Sequence, residues 1–183
     1  MLYIMRHGKT DWNERRKLQG ITDIPLNDSG RQMAKEAAEE YKDVHFDICF
    51  CSPLVRAKET AKILLEGRDV PIVFDDRLKE MGFGTFEGVE NCFDIPDSPI
   101  KVFFFHPEDY NVPVEGGESL DMVFERVKDF LDETALPLVE AGKDVLIVAH
   151  GALNSCIVST VRKLPREQLW SEGIPNCKLI RLI

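Results

Sequence analysis

Apolar residues in this chain gather into short continuous runs, and between the runs they recur every three or four positions. Leu2 to Met5, Asp47 to Cys51, Ile72 to Phe74, Val145 to Ala149 and Lys178 to Leu182 read as strands, because short apolar runs bounded by turn residues suit strands buried in a sheet. Helical patterns separate them. Asn27-Asp28-Ser29 introduces one to about Asp43, Pro53 begins one to about Glu66, and Glu118-Ser119 opens a long amphipathic stretch to about Glu140. Strands alternating with helices predict a three-layer α/β/α sandwich with a mostly parallel sheet, a single domain over residues 1–183. Such a fold puts its functional site at the carboxyl ends of the strands. No internal repeat, low-complexity tract or linker interrupts the pattern.

Composition narrows the setting. The chain has 183 residues, of which 44% are hydrophobic, enough for one well-buried domain and too few for two of usual size. No apolar stretch approaches the roughly 20 residues of a membrane span, and the amino terminus lacks a basic region followed by an apolar core. A cytoplasmic protein with no membrane partner is expected. The formal net charge of -9 disfavours nucleic acid as a partner, since a phosphate backbone needs clustered basic charge. Arg15-Arg16-Lys17 is a short basic run that rims a site or faces solvent. The five cysteines, at 49, 51, 92, 156 and 177, are odd in number and show no Cys-x-x-Cys spacing, which argues against a disulfide framework or a zinc site. Cys49 and Cys51 fall on one face of a strand and are assigned to packing.

Candidate chemistry sits where the strands end. Arg6-His7-Gly8 closes the first apolar run, and Ala149-His150-Gly151 closes the fourth. A strand-end imidazole with no metal-ligand partners nearby can attack phosphorus and leave again, and a glycine after it lets the backbone turn and a ligand approach the main chain. A packed or capping histidine would look the same. After the second run, Ser52-Pro53 reads as an N-cap and first helical residue. A helix starting there would aim its first N–H groups, with the Arg56 guanidinium, at an anion. Ordinary helix punctuation and a solvated arginine are the other reading. Arg77 to Gly88 is a glycine-punctuated loop carrying the carboxylates of Glu80 and Glu87.

Taken together and in this order, RHGKTDWN, SPLVRAKET, LKEMGFGTFEG and VAHG resemble the histidine phosphatase superfamily, which also contains the cofactor-dependent phosphoglycerate mutases; the resemblance runs from Leu2 to Gly151. It implies that His7 is the nucleophile, that Arg6, Arg56 and His150 surround the transferred phosphoryl group, and that Asn13 donates an amide to it. A turn or cap role for Asn13 is equally compatible with its position. Glu80 is then the proton donor to the leaving oxygen and the base for the attacking water. Neighbouring arginines favour its carboxylate form, so the proton should be held once the phosphate dianion is bound. Glu87 is read as a loop-stabilising residue, and Gln19 and Gly151 are candidate substrate contacts. Phosphoryl transfer asks mainly for in-line positioning and donors to the equatorial oxygens. Two arginines, a histidine and backbone amides supply these without a metal, and no cofactor is implied.

The expected activity is hydrolysis of a small-molecule phosphate ester by a monomer or homodimer. A bisphosphate-dependent phosphoglycerate mutase and a catalytically silent phosphate-binding protein are the alternatives. The mutases resembled carry paired arginines in the inserted region, whereas residues 89–117 here hold only Lys101 besides His106 as basic side chains. That segment, with its four prolines and Phe103-Phe104-Phe105, is expected to form a lid of one short helix and flanking loops, its phenylalanines packed on the core. His45 and His106 are assigned to the surface. A nucleotide-binding Gly-x-x-x-x-Gly-Lys-Ser/Thr loop, a His-Glu-x-x-His helix and a Gly-x-Ser-x-Gly elbow are all absent, which disfavours those hydrolase classes.

Overall fold

The computed structural model describes residues 1–111 and 113–183. Five strands, β1 (Leu2–Arg6), β2 (Ile48–Cys51), β3 (Ile72–Phe74), β4 (Val145–Ala149) and β5 (Leu179–Arg181), form one sheet in the order β3-β2-β4-β1-β5. All neighbours are parallel except β5, which runs antiparallel along β1. β4 is central and aligns Leu2 of β1 and Ile48 of β2 opposite its Val145. That register brings the carboxyl ends of β1 and β4 side by side, so Arg6 lies across from Ala149, and the residues that follow, His7 and His150, emerge together.

Alternation along each strand divides the core. Leu2, Ile4, Val145, Ile147 and Ala149 point to one face, and Tyr3, Met5, Leu146, Val148, Cys49 and Cys51 to the other, as a two-residue period requires. Both faces are covered, which is why β1 from Leu2 to Met5 and the whole of β4 read as unbroken apolar runs. Helices α1 (Asp11–Glu14), α2 (Asp28–Glu40) and α3 (Val55–Leu64) follow β1 and β2. The second face packs on small residues of α2 and α3, including Ala34, Ala37, Ala57 and Ala61. α4 (Pro99–Phe105) precedes α5 (Leu120–Phe130), which continues through a wider π-type turn, Leu131–Ala135, into α6 (Leu136–Glu140). Pro137 explains the wide turn: its ring would crowd the carbonyl of Glu133, and it has no N–H to give. α7 (Gly151–Arg162) follows β4, and α5 and α7 together cover the first face through Val123, Val127, Leu153 and Ile157. Among the described residues no helix is long and apolar enough to cross a membrane.

Helix starts follow their caps. Asn27 accepts from Gly30 N–H at the head of α2, and Ser119 from Met122 N–H at the head of α5, each such cap contributing about 1 kcal/mol. The start of α3 departs from expectation, since its N-cap is Leu54 and its first residue Val55, not Ser52 and Pro53. Burial of Cys49 and Cys51 agrees with a packing role, and desolvation pushes the Cys51 thiol up to about 12. In residues 89–117, the helical elements among the described residues are α4 and a 3-10 turn at Pro107–Asp109, and Val112 lies outside the described residues. Phe103 is fully buried and Phe104 half-buried, but Phe105 is 68% exposed, contrary to the expected packing of all three. α4 buries Ile100 and Phe103, three positions apart; two residues beyond Phe103 the helix has turned to its opposite side. His45 and His106 are exposed, as expected.

Candidate active site

Arg6, His7, Asn13, Gln19, Arg56, Glu80 and Gly151 all line one cleft of about 280 Å³ at the carboxyl ends of β1 and β4. His150 does not line it. Its ring centroid lies 5.1 Å from that of His7, yet the residue is fully buried, with Nε2 hydrogen-bonded to Ser52 Oγ at 2.7 Å and Nδ1 unpartnered.

His7 is 2% exposed, and its Nδ1 sits 2.6 Å from its neighbour's carbonyl, Gly8 O. A carbonyl can only accept, so Nδ1 carries the proton and Nε2 keeps a lone pair. Arg56 Nε–H donates to that Nε2 at 3.3 Å. Burial first, then the guanidinium groups of Arg56 and Arg6, hold His7 well below the usual histidine range, and His150 is held low by burial, Arg56 and His7 in turn. His7 is therefore a neutral imidazole with its unprotonated nitrogen among positive charges.

Arg56, in the first turn of α3, is fully buried, and burial brings its guanidinium down to about 10, so it remains a cation at neutral pH. Its Nη2 donates to Gly20 O at 2.6 Å and its Nη1 to Thr22 O at 2.8 Å. The loop offering those carbonyls is clamped by Glu87, which accepts from the N–H groups of Ile21, Thr22 and Phe83 and from the Thr22 hydroxyl. Asp23 Oδ1 takes Val55 N–H at 2.7 Å, so a protein carboxylate, not an open anion site, meets the N-terminus of α3. Arg6 donates through Nη1 to Ile174 O at 3.2 Å, while its Nε is buried without a partner. Burial lowers its pKa and nearby Glu80 partly offsets this.

Glu80 is 9% exposed and lies at the opening of α7. Oε1 accepts from Met81 N–H and Leu153 N–H, both at 2.9 Å, and Oε2 accepts from Ala152 N–H at 3.2 Å. A carboxylate from another loop thus meets the positive end of α7. Arg126 braces the backbone around it by donating to the carbonyls of Arg77, Lys79 and Glu80, and is itself held by Glu118.

Asn13 is built into a cap. Its Oδ1 accepts from Thr10 N–H and its backbone N–H donates to Thr10 Oγ in a capping box at the head of α1, which leaves its amide N–H groups for the cleft it lines. Gln19 Oε1 accepts from Thr10 Oγ at 2.8 Å. Gly151 is where Arg6 packs, since a Cβ there would lie 3.3 Å from the Arg6 guanidinium carbon. Gly8 serves a close backbone approach: a Cβ would meet Gly30 O at 2.5 Å, so the glycine seats the loop after His7 on α2 and is not an opening for ligand. Several contributors carry no local signal in the sequence. Thr60 Oγ accepts from Gly8 N–H and donates to Arg56 O, Asn176 donates to His7 O at 2.6 Å, and Phe104, Trp170 and Ile174 complete the cleft wall. For Trp170, Ile174 and Asn176 the available hint was the long stretch between α7 and β5, since connections of that length are uncommon without a functional role.

The sequence pattern described as "Histidine phosphatase superfamily (branch 1)" matches residues 2–183. The chain is 33% identical over 179 residues to a 2,3-bisphosphoglycerate-dependent phosphoglycerate mutase of Parvibaculum lavamentivorans, covering 95% of this chain and 85% of that protein. It is 32% identical over 183 residues to a probable phosphoglycerate mutase of Enterobacter sp. (strain 638), covering 99% and 83%. Among solved structures, a mycobacterial glucosyl-3-phosphoglycerate phosphatase superposes with a TM-score of 0.84 at 30% identity, over 97% of this chain and 90% of that one. A putative alpha-ribazole-5'-P phosphatase of Escherichia coli K-12 superposes with 0.82 at 25% identity, over 97% and 87%.

Proposed function

The chain belongs to the histidine phosphatase superfamily, and from that premise we propose that it is a phosphomonoester hydrolase that works through phosphohistidine at His7 on a small phosphorylated metabolite. The observation that carries this reading is the state of His7: neutral, protonated on Nδ1, with the Nε2 lone pair beside Arg56 in the cleft. In the first step the hydrogen bond from Arg56 Nε–H passes from Nε2 to a phosphate oxygen, the freed Nε2 lone pair attacks phosphorus and the bond from phosphorus to the ester oxygen breaks, while Arg6, Arg56 and the Asn13 amide receive the equatorial oxygens. Glu80 gives its proton to the departing alcohol. Oε2 is the oxygen with room to carry it, because it accepts one amide N–H where Oε1 accepts two. In the second step Glu80 takes a proton from water, the oxygen attacks phosphorus, and the Nε2–phosphorus bond breaks to release inorganic phosphate. His150 acts from behind the imidazole as a buried positioning group rather than as a wall of the cleft. The five buried, unpaired cysteines fit a reducing compartment and support a cytoplasmic location.

The mutase relatives make phosphoryl return to a second hydroxyl the competing reading. It needs cations for a second phosphate, and among the described residues lining the cleft Lys17 is the basic side chain left after Arg6 and Arg56. Lys101 and His106 are not in the cleft wall. Hydrolysis, which needs one phosphate site, is favoured. Rapid quenching with a labelled phosphomonoester should trap phosphate on wild-type protein and none on His7→Ala, with free phosphate as product and no loss of rate in EDTA. Sustained turnover by folded His7→Ala would overturn the covalent mechanism; label moved from a bisphosphate to phosphoglycerate would establish the mutase.

A further inference from the structure

One wall of the cleft has no part in phosphoryl transfer. Phe104 and Trp170 lie face to face there, ring centroids 5.1 Å apart and planes 22° from parallel. Leu18, Phe83 and Ile174 extend the apolar surface. The same two rings also line an adjoining open groove with Phe93, the exposed Phe105 and the charged side chains of Arg16, Asp94 and Lys101, so the aromatic wall continues out of the cleft onto a surface with a charged rim. Polar groups along this wall are few and mostly engaged. Trp170 Nε1–H is committed to Phe103 O at 3.1 Å, so Trp170 offers a ring and no donor. The Glu172 carboxylate is paired with Arg162. The Ser155 hydroxyl, buried in the cleft wall, has no partner, and Lys17 Nζ rests over the Trp12 ring, 5.7 Å from its centroid.

We propose that this wall receives the alcohol part of the substrate and selects phosphate monoesters whose alcohol carries a planar aromatic ring, with Phe104 and Trp170 as the residues that set the preference. A flat ring stacks on the pair as they stack on each other. A bare sugar would turn its hydroxyls toward carbon and leave them without partners, and a second anionic group within the cleft would find a single lysine, Arg16 and Lys101 standing in the open groove beyond the rings. One polar substituent on the ring-bearing alcohol has a place, at Ser155 Oγ. Hydrolysis of such esters rests on the phosphatase reading; the binding preference does not.

The two are separated by measuring binding and turnover with matched ligands. Calorimetric titration with 2-phenylethylphosphonate, 2-cyclohexylethylphosphonate and ethylphosphonate compares a planar ring, a puckered ring of similar size and no ring on the same phosphate mimic. The phenyl compound should bind roughly ten- to a hundredfold more tightly than the ethyl one, the scale of burying one ring, and severalfold more tightly than the cyclohexyl one. Phe104→Leu, which keeps apolar volume and removes the flat face, should narrow the phenyl-to-ethyl ratio by roughly tenfold. Trp170→Phe provides a second variant that keeps a ring in place. Equal affinity for phenyl and ethyl ligands, or for phenyl and cyclohexyl ligands, overturns the proposal, as does a ratio untouched by Phe104→Leu. Turnover of 2-phenylethyl phosphate against ethyl phosphate, whose leaving groups are both alkyl alcohols, should show the preference in kcat/KM. Phosphonates that bind with the ring preference while neither ester is hydrolysed would overturn the phosphatase reading and leave the ring site standing.

Discussion

Glu80 already accepts three backbone N–H groups before any substrate arrives, so its carboxyl plane is fixed relative to α7 and its proton can be aimed. Glu80→Gln keeps the size but removes the proton. It should slow esters of alkyl alcohols by roughly two to four orders of magnitude, the usual scale of general acid catalysis. Para-nitrophenyl phosphate, whose leaving group needs little protonation, should lose far less in single-turnover phosphorylation of His7. Equal losses on both substrates would make Glu80 a holding residue and move the search for the donor elsewhere. The residue was found from the loop block around it; its partners were not, because Ala152 and Leu153 lie more than seventy positions further along the chain.

At the scale of elements, the active cleft depends on two loops held together by one carboxylate. Glu87 grips Ile21, Thr22 and Phe83, and the Gly20 and Thr22 carbonyls in turn hold the Arg56 guanidinium. Glu87→Gln turns an amide N–H₂ toward N–H donors and should loosen this frame without touching the leaving group. The expected outcome is a roughly ten- to hundredfold slower phosphorylation of His7, since a displacement on the order of 1 Å carries that penalty, and the loss should be the same for alkyl and aryl phosphates. A Glu87→Gln rate equal to wild type, or one sensitive to leaving group as with Glu80→Gln, would refute the frame. The loop-stabilising role was legible from the glycine-punctuated block. Its reach to Arg56 was not, because it passes through backbone carbonyls, which any residue type can supply.

For the whole molecule, the two buried histidines make stability depend on pH. Both are held well below the ordinary histidine range in the folded protein, by burial first, whereas in the unfolded chain each takes up a proton below about pH 6.5. The unfolded state then binds more protons, so stability is full above about pH 6.5 and falls as the solution becomes more acidic, by up to about 1.4 kcal/mol per pH unit for each histidine. Thermal melts of wild type between pH 7.5 and 5 should show the decline, and His7→Ala should flatten it. A melting temperature independent of pH across that window in wild type would mean that the histidines are not held neutral. Inorganic phosphate, as a ligand of the folded state alone, should raise the melting temperature at every pH.

The sequence by itself determined the sheet, the layers and the ends of β1 and β4, because strand burial on both faces is written as unbroken apolar runs, and Asn27 and Ser119 announce helix starts through their own side chains. It also picked out the candidate side chains, since His7, Arg56 and Glu80 stand in blocks whose residue types and order are specific, and the fold brings all three to one cleft. Tertiary structure decided what each of them faces. Ser52 looked like a cap because Ser-Pro commonly is one; its hydroxyl does accept from Leu54 N–H at 3.3 Å, ahead of the helix, but its shorter bond, 2.7 Å, is to His150, ninety-eight residues away, and the Val55 N–H that opens α3 is taken by Asp23 in another loop. His150 became a buried neighbour of His7 because parallel pairing of β1 with β4 puts their ends together. Phe104 and Trp170 meet on one wall of the cleft because α4 and the segment between α7 and β5 pack together there; one ring belongs to a short helix and the other to a stretch with no periodic pattern, so their contact depends on the packed fold and not on either local sequence.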